Sequence, residues 1–445
     1  MFETWVLVTT WDIIGMVLDM DTNTIKWYKN NSLIYTINSI VQDTYSPVAA
    51  SASGVSWYII NFGQWWQSWL QDCAAAWGKF KYCPPVGFKA LSTKNLPEPI
   101  IKDPSKHFDV LTYTGNWSSQ SIGWLEFKPD FVWMKSRNVA HEHWLVDSVR
   151  GWNKFLYSDQ TTPEWTDWWT TYFTEFISDW LNINWWWTAY NNSWDTYVAW
   201  NWKAGWAAVT NTDWSITSQV SANVDAGFSI VGYTGNWVAG ATVGHWLSKE
   251  PEMVWIKNRD WDWASWVVQW NTWNFNKDSY MYLNMTRKEE ISTAFQIELL
   301  PKTLKYWNIH WINNDRHSDW QMDKFIAYAF HSVPWYSKVW SYTGNGSADW
   351  TFVYTGFKPR YVMIKRVDSA FDWIIMDTER NILNPVISQL LTNSSSEESI
   401  VSASAIDFIS NGFKLKTTHL NKNASWWKYI YIAFAEAPFK YANAR

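Results

Sequence analysis

One acidic segment of this 445-residue chain has the spacing of a calcium-binding loop. Asp19, Asp21 and Asn23 match the D-x-D-x-N start of an EF-hand loop, whose carboxylate and amide oxygens bind Ca²⁺. The loop also needs glycine at its sixth position and glutamate at its twelfth, and these positions are Thr24 and Asn30. We therefore interpret the acids as the turn of a β-hairpin and predict no metal site there.

Two histidines form the other candidate for metal binding. His141 and His143 are two residues apart, so both would lie on one side of a strand, but a zinc site needs further ligands and none is near in sequence. We interpret them as surface histidines. The sequence contains no nucleophile elbow, P-loop, HExxH motif or cluster of paired carboxylates. It therefore predicts a non-enzymatic protein with no catalytic residue, no metal and no cofactor.

Basic and acidic side chains recur at regular places along the chain. Such pairs could contact a ligand, but we favour a structural role, as salt bridges or as strand-edge charges that resist edge-to-edge pairing. The basic pairs are Lys135 with Arg137, Lys257 with Arg259, and Lys365 with Arg366; the acid–base pairs are Asp147 with Arg150 and Asp377 with Arg380.

Composition excludes several classes of protein. The net charge of −5 argues against broad binding to a phosphate backbone, so no nucleic-acid partner is expected. No run of 18 apolar residues is present, so we predict no membrane span. The first ten residues lack the features of a secretory signal. Cys73 and Cys83 could form one disulfide, but we expect two free thiols in a linker.

An internal repeat organises most of the chain. The motif "YTGN" or a close variant begins at Tyr113, Tyr233 and Tyr342, which are 120 and 109 residues apart. That period fits a small β-sandwich. The segments between alternate their side chains with period two and are rich in β-branched and aromatic residues, which is typical of strands. We predict an all-β chain of tandem β-sandwiches (jelly rolls of the concanavalin type), with boundaries 1–70, 71–107 (a Pro-rich linker), 108–208, 209–336 and 337–445; residues 384–391 are the best candidate for a short helix.

The N-terminal segment resembles the C-terminal half of a SPRY domain. The matching residues are Asp12, Ile14, Gly15, Leu18, Asp19, Asp21, Ile25 and Tyr28, while glycines of the signature fall at Trp11 and Asn23. The resemblance implies a concanavalin-like sandwich of which only the second half is present, so we expect the chain to begin inside a domain.

The repeats resemble modules that follow SPRY-like domains in tailed-bacteriophage virion proteins, on "YTGN", "DSVRG" (147–151), "YVAWNWKAG" (197–205) and the C-terminal strand. The resemblance implies a structural protein of the virion, made in the host cytoplasm and associated with a tail fibre or appendage. Other virion proteins and a host-surface glycan or protein are the expected partners, and a homo-oligomer is left open. The candidate binding residues are the loop asparagines Asn116, Asn236 and Asn345.

Two alternatives from other classes remain open. The chain could be a glycan-processing enzyme on a concanavalin-like fold, or a secreted bacterial adhesion module. Adhesion through surface loops is common to the virion and bacterial interpretations, whereas turnover of a sugar substrate would separate the enzyme from both.

Tryptophan is unusually frequent, with 42 Trp against only 18 Gly. Trp117 and Trp237 stand where Gly346 stands in the third repeat, and Trp180 stands where Gly412 does. Turns of this kind require positive φ, which glycine adopts freely. We hypothesise that most of these tryptophans are glycines read through codon UGA, which means Trp in one genetic code and Gly in another; a sugar-stacking, Trp-rich lectin surface is the alternative. Four within strands are expected to be genuine: Trp133, Trp200, Trp202 and Trp373.

Overall fold

The structure is a computed structural model, and its regular elements confirm the predicted all-β fold of tandem sandwiches. Among the described residues these elements are β-strands and two short 3₁₀ helices. The chain divides into two compact units, Met1–Glu98 and Pro99–Arg445. The residues described are 9, 11–41, 61, 70–73, 78–91, 95–168, 173–176, 181–183, 190–205, 207–271, 278–292, 295–306, 313, 322–349 and 351–442.

The first unit contains an antiparallel meander of three strands, β1 (Ile14–Asp19), β2 (Thr24–Lys29) and β3 (Ser32–Asn38). The acidic segment forms the β1–β2 turn, in which Asp19 Oδ1 accepts hydrogen bonds from the N–H groups of Asp21 and Thr22. Asn30 and Asn31, with φ of 46° and 71°, connect β2 to β3. The carboxylate of Asp19 is thus used to close a hairpin.

A disulfide joins Cys73 to Cys83, and the expectation of two free thiols is wrong. Strands β4 (Gln71–Cys73) and β5 (Gly78–Phe80) pair antiparallel, with Cys73 opposite Gly78. The chain after β5 returns to Cys83, and the two Cα atoms lie 5.5 Å apart, within the range that a disulfide can bridge. The spacing of ten residues alone could not show this strand pairing.

The second unit begins inside the segment expected to be a linker. Ile101 is buried in it, and a 3₁₀ helix (Pro104–Lys106) leads into the first repeat. We define repeat 1 by its nine strands: β6 (Phe108–Thr114), β7 (Gln120–Ile122), β8 (Phe131–Ser136), β9 (Trp144–Asp147), β10 (Lys154–Tyr157), β11 (Trp165–Thr166), β12 (Phe173–Phe176), β13 (Leu181–Ile183) and β14 (Thr196–Trp202).

Repeat 2 has the same nine strands after an additional hairpin formed by β15 (Val209–Asn211) and β16 (Ser218–Asn223). The nine are β17 (Phe228–Thr234), β18 (Ala241–Gly244), β19 (Met253–Asn258), β20 (Val267–Trp270), β21 (Ser279–Tyr282), β22 (Glu290–Ile291), β23 (Ile297–Leu299), β24 (Thr303–Tyr306) and β25 (Lys324–Phe330).

Repeat 3 comprises β26 (Ser337–Thr343), β27 (Phe352–Tyr354), β28 (Phe357–Arg366), β29 (Ile374–Asp377), β30 (Ser388–Leu391), β31 (Ser399–Ile400), β32 (Ile406–Ile409), β33 (Gly412–Leu415) and β34 (Lys428–Pro438), with a 3₁₀ helix at Ser402–Ser404. The suggested helix over 384–391 is wrong, because its second half is strand β30. Ile374 and Ile375 of β29 pair with Leu391 and Leu390, which places the segment inside the sheet.

All three repeats share one topology. The large sheets have the orders β6-β14-β8-β9-β10-β11, β17-β25-β19-β20-β21-β22 and β26-β34-β28-β29-β30-β31, and the hairpin β15–β16 extends the second at its β17 edge. The small sheets have the orders β7-β13-β12, β18-β24-β23 and β27-β33-β32. The same connection pattern in each repeat lets residues be compared position by position.

Each large sheet is buried on both of its faces. In β8, Val132 and Met134 face the interior of the repeat-1 sandwich, while Phe131 and Trp133 join a core shared by all three repeats. The equivalent strands β19 and β28 divide their side chains in the same way. Period-two alternation therefore serves two hydrophobic surfaces at once, which explains why these strands are apolar on both sides. We call the shared cluster the central core.

Candidate functional site

The YTGN motifs form three equivalent turns, each between the first two strands of a repeat. The backbone N–H groups of Asn116, Asn236 and Asn345 donate to the side-chain oxygens of a second set of asparagines at 3.1, 3.0 and 3.0 Å. Each candidate's own Oδ1 accepts a hydrogen bond from the N–H two residues on, as in an Asx turn. Asn116 and Asn345 are exposed and Asn236 is half-buried. All three hold their turns closed.

The second asparagines, Asn191, Asn313 and Asn423, were not identified from the sequence. Each is buried, and each donates its side-chain N–H back to the turn, to the carbonyls of Ser118, Val238 and Ser347 at 2.7, 3.1 and 2.8 Å. The available signal was their recurrence shortly before the last strand of every repeat, 75 to 78 residues after the YTGN asparagine.

The recurring lysines point into protein, away from solvent. Lys257 Nζ donates to Ala264 O at 2.8 Å and to Thr161 O of repeat 1 at 3.1 Å. Lys365 Nζ contacts Thr286 O of repeat 2 in the same way, at 3.3 Å. Burial lowers the pKa of Lys257 to about 7, and that of Lys135 and of Lys365 to about 8. Lys257 and Lys365 therefore tie neighbouring repeats together through carbonyl groups, whereas Lys135 Nζ donates to Ser136 O within its own repeat.

Two of the three recurring arginines form ion pairs between repeats, and the third, Arg366, pairs with Asp368 within repeat 3. Arg259 of repeat 2 makes a bidentate contact with Glu164 of repeat 1, with both hydrogen bonds at 2.8 Å. Arg137 of repeat 1 makes the same contact with Glu398 of repeat 3, at 3.0 Å. Burial opposes the effect, but the hydrogen bonds from Arg259 hold the pKa of Glu164 below its usual value. These pairs agree with the structural role favoured for the basic residues.

One backbone contact recurs at all three junctions between repeats. The N–H of Glu164 donates to Arg259 O, that of Glu289 to Val367 O, and that of Glu398 to Arg137 O, each at 2.7 Å. The donors belong to repeats 1, 2 and 3, and the acceptors to repeats 2, 3 and 1. The junctions therefore run in one direction and close the three repeats into a ring. At the second junction Val367 takes the place of the arginine.

The Asp–Arg pairs lie fully buried beside this ring of contacts. Arg150 is paired with Asp147. Burial alone would lower the pKa of Arg150, but the carboxylate of Asp147 raises it above its usual value. Tyr328 of repeat 2 donates its hydroxyl to Asp147 at 2.7 Å. In the pair Asp377–Arg380, the donor to Asp377 is Trp200 of repeat 1, whose ring N–H lies 3.0 Å from the carboxylate.

At the second junction, apolar residues take the places of the buried aspartate and of its hydrogen-bond donor. Trp270 occupies in repeat 2 the place that Asp147 and Asp377 occupy in the others, and Ile432 occupies the place of Trp200 and Tyr328. Trp270 and Ile432 both belong to the central core. Where the acid is present, the equivalent position in the adjoining repeat (Trp200 or Tyr328) is a hydrogen-bond donor. Where the acid is replaced by Trp270, that position is the apolar Ile432, as burial in the core requires.

His143 is buried, so its interpretation as a surface histidine is wrong. It occupies the place that Trp266 and Trp373 occupy in the other repeats, against the central core. Its Nδ1 accepts a hydrogen bond from Trp133 Nε1 at 2.8 Å, and burial lowers its pKa well below the usual value. His141, two residues earlier, is half-buried. Within the described part of the chain no group of three or more His, Cys, Asp or Glu side chains could hold a metal ion.

A cavity of about 450 Å³ lies beside the YTGN turn of repeat 2. The extra hairpin supplies one wall through Ser218 and Gln219, and Asn236 lines the side formed by the turn. Arg259 and Lys324 add two cationic groups. Of the three loop asparagines predicted to bind a ligand, Asn236 is the one that lines this cavity, in which Arg259 is paired with Glu164 and Lys324 Nζ lies 4.0 Å from Asp260.

The fold and its junctions define a protein of three β-sandwich repeats closed into a ring around one hydrophobic core. Residues 103–438 match the family described as "Domain of unknown function (DUF7483)", and the chain belongs to this family. No curated protein and no solved structure matches the chain. In the residues that the structure describes, no helix has the length and hydropathy needed to cross a membrane.

Proposed function

We propose that the chain is a non-enzymatic structural protein of a bacteriophage particle, associated with a tail fibre or appendage, that binds a glycan or protein of the host surface. The resemblance of its repeats to virion modules supports the phage assignment. The observation that carries the structural role is the closed ring of repeats, in which each sandwich is fixed to both of its neighbours.

The use of the ionisable groups fits a scaffold. Glu164, Arg259 and Lys257 join repeats 1 and 2, and Glu398 and Arg137 join repeats 3 and 1. Buried pairs of this kind fix the register between neighbours because breaking one leaves an uncompensated charge. A rigid ring would hold its turns in fixed positions, as an attachment surface requires.

The cavity of repeat 2 is the proposed place of contact with the host surface. Its polar lining of Asn236, Ser218, Gln219, Arg259 and Lys324 offers donors and acceptors suited to hydroxyl and carboxylate groups, such as those of an acidic glycan. Since Arg259 also holds the junction with repeat 1 and Asn236 closes its own turn, Lys324 is the residue to change in a binding test.

The first test asks where the protein resides. Particles purified from lysed host cells should contain its peptides at a constant ratio to the major capsid protein, as measured by quantitative mass spectrometry. Recovery only from the particle-free supernatant would contradict the assignment to the virion.

The second test measures binding and turnover. The native protein should bind host envelope fractions without releasing reducing sugar, and Lys324→Ala should weaken binding. Lys106→Ala, which removes an exposed lysine outside the cavity, is the matched control. Sustained release of reducing ends would instead favour the glycan-processing enzyme.

A further inference from the structure

Tryptophan is the commonest non-glycine residue with positive φ among the described residues. Among the described residues, thirteen that are not glycine have positive φ, and nine of them are tryptophan; the others are three asparagines and a serine. Asparagine enters the left-handed region readily, whereas a bulky residue there is a genuine outlier. The nine are Trp11, Trp117, Trp124, Trp194, Trp237, Trp246, Trp263, Trp335 and Trp426.

The YTGN turns contain an internal comparison. Trp117 and Trp237 have φ of 56° and 54°, and Gly346 has φ of 70° at the equivalent place in repeat 3. All three donate their backbone N–H to the carbonyl of the asparagine described above, at 3.0, 3.2 and 2.9 Å. One turn is thus built three times with the same backbone, and one copy carries glycine.

The turn between β25 and β26 has the geometry of a Pro-Gly turn. Tyr336 N–H donates to Val333 O at 3.0 Å, so Pro334 and Trp335 are the two central residues. Trp335 has φ of 68°. A turn with proline first and positive φ second is of type II, which requires glycine or asparagine at the second place.

For six of the nine, burial does not explain the conformation. Trp11, Trp117, Trp124, Trp194, Trp263 and Trp426 are 66–92% exposed. A genuine tryptophan normally buries a large area and contributes strongly to a core. These side chains therefore gain little from packing while occupying backbone that disfavours them.

The core tryptophans behave in the opposite way. Trp133, Trp200, Trp202 and Trp373 are fully buried in the central core, lie in or next to strands, and have no positive φ. Their equivalents in other repeats are mostly large: Trp255 and Met363, Tyr328 and Ile432, Phe330 and Phe434, and Trp266 and His143. Position-by-position comparison separates the two sets without reference to composition.

We infer that the nine tryptophans with positive φ are glycines in the native protein. Their codons are UGA, and the cell that translates the gene contains a glycine-charged tRNA that pairs with UGA. The core tryptophans are genuine and are encoded by UGG. The native protein then has glycine turns at these nine positions and no exposed tryptophans there. Stacking of a sugar on these indoles therefore has no part in binding.

The deciding experiment reads the gene and the native protein. Sequencing should find UGA at the codons for the nine residues and UGG at those for Trp133, Trp200, Trp202 and Trp373. Peptide mass spectrometry of the protein from its own organism should give the residue mass of glycine at 117 and 237. UGG codons or tryptophan masses there would overturn the inference and favour a lectin surface.

A pair of synthetic genes tests the same inference through folding. Trp117→Gly should raise the equilibrium constant for folding several-fold, up to about ten-fold, because left-handed strain is relieved. Trp373→Gly, the matched control, should lower it by a factor of about 100 or more, because a core side chain is lost. If Trp117→Gly lowers the folding constant, the inference fails. If the protein with tryptophan at all nine positions aggregates, the codon and mass measurements alone decide whether the inference holds.

Discussion

At the scale of single residues, conformational strain and buried charge set the largest local energies. A left-handed conformation costs a non-glycine residue roughly 1–2 kcal/mol, so nine such tryptophans would cost on the order of 10 kcal/mol. The net stability of a folded domain is about 5–15 kcal/mol. Tryptophan at all nine positions would therefore leave little of that stability, whereas glycine at the same positions removes the strain.

Asp147→Asn should destabilise the protein by about 3–5 kcal/mol. The substitution keeps the shape of the side chain but removes the fully buried carboxylate that pairs with the Arg150 guanidinium, and Glu164, 3.3 Å from Arg150, is then its remaining counter-ion. Glu126→Gln, which removes an exposed carboxylate 3.8 Å from Lys106, should change stability by less than about 1 kcal/mol. Urea unfolding of both variants measures the difference, and equal effects would show that the buried pair is not needed.

Lys257 should make stability rise with pH above about 7. Its folded pKa of about 7 lies below the ordinary lysine value, so between the two the unfolded chain holds a proton that the folded chain does not. Stability then increases with pH by up to about 1.4 kcal/mol per unit for one proton. Unfolding of the native protein and of Lys257→Met between pH 7 and 9.5 should show this slope lost in the variant.

The exposed Lys106→Met is the control for that experiment. The hydrogen bond that Lys106 donates to Asp103 raises the pKa of Lys106 above its ordinary value, so both states keep this proton below pH 10. A slope that is unchanged in Lys257→Met would mean that the buried amine does not titrate in this range.

At the scale of elements, a single asparagine fixes each YTGN turn to the segment that precedes the last strand of its repeat. Asn423 is fully buried and uses both ends of its amide: its oxygen accepts from Asn345 N–H and Thr351 Oγ1, and its nitrogen donates to Ser347 O and Thr417 O. Asn423→Ala should therefore destabilise by about 3 kcal/mol or more, since several buried groups lose partners.

Asn345→Ala is the matched change on the other side of the same turn. Asn345 is exposed and closes the turn through the Ser347 N–H, so its loss should destabilise by about 1 kcal/mol or less. Thermal unfolding of the two variants gives the comparison, and a larger effect for Asn345 would reverse the roles assigned here.

The sequence predicts these elements unevenly, for physical reasons. Period-two alternation and the repeated YTGN motif predict the strands and the three sandwiches, because each signal is local. Asn423 was missed because its contacts lie 78 residues away at Asn345. His143 was placed on the surface because burial depends on the neighbouring repeats, and the Cys73–Cys83 bridge was missed because it depends on the pairing of β4 with β5.

At the scale of the whole molecule, the three repeats share one core and should unfold together. A chain ending at residue 336 loses Glu398, the partner of Arg137, and uncovers the central core around Trp200. We expect that chain to aggregate, because large exposed apolar surfaces associate in water. A chain starting at Pro99 keeps the second compact unit entire and should show one calorimetric transition.

Size-exclusion chromatography and scanning calorimetry measure both outcomes. A soluble, folded chain ending at residue 336, or three separate transitions in the chain that starts at Pro99, would show that the repeats are independent domains. The ring itself was not predicted from the sequence, because each junction joins residues of two different repeats: Glu164, Glu289 and Glu398 recur, but their acceptors Arg259, Val367 and Arg137 lie in the neighbouring repeat.

The direction of the junctions limits how copies of this protein can assemble. Head-to-tail contacts form a ring when the rotation closes and an open filament when it does not. Each repeat has one surface that donates a junction hydrogen bond and one that accepts it. The backbone contacts of Glu164, Glu289 and Glu398 use all of these surfaces. These contacts are made within a single chain, so the junction surfaces are not available to a second copy. A substitution that opened one junction would expose one donor surface and one acceptor surface. The same contacts, now formed between different copies, would then drive polymerisation.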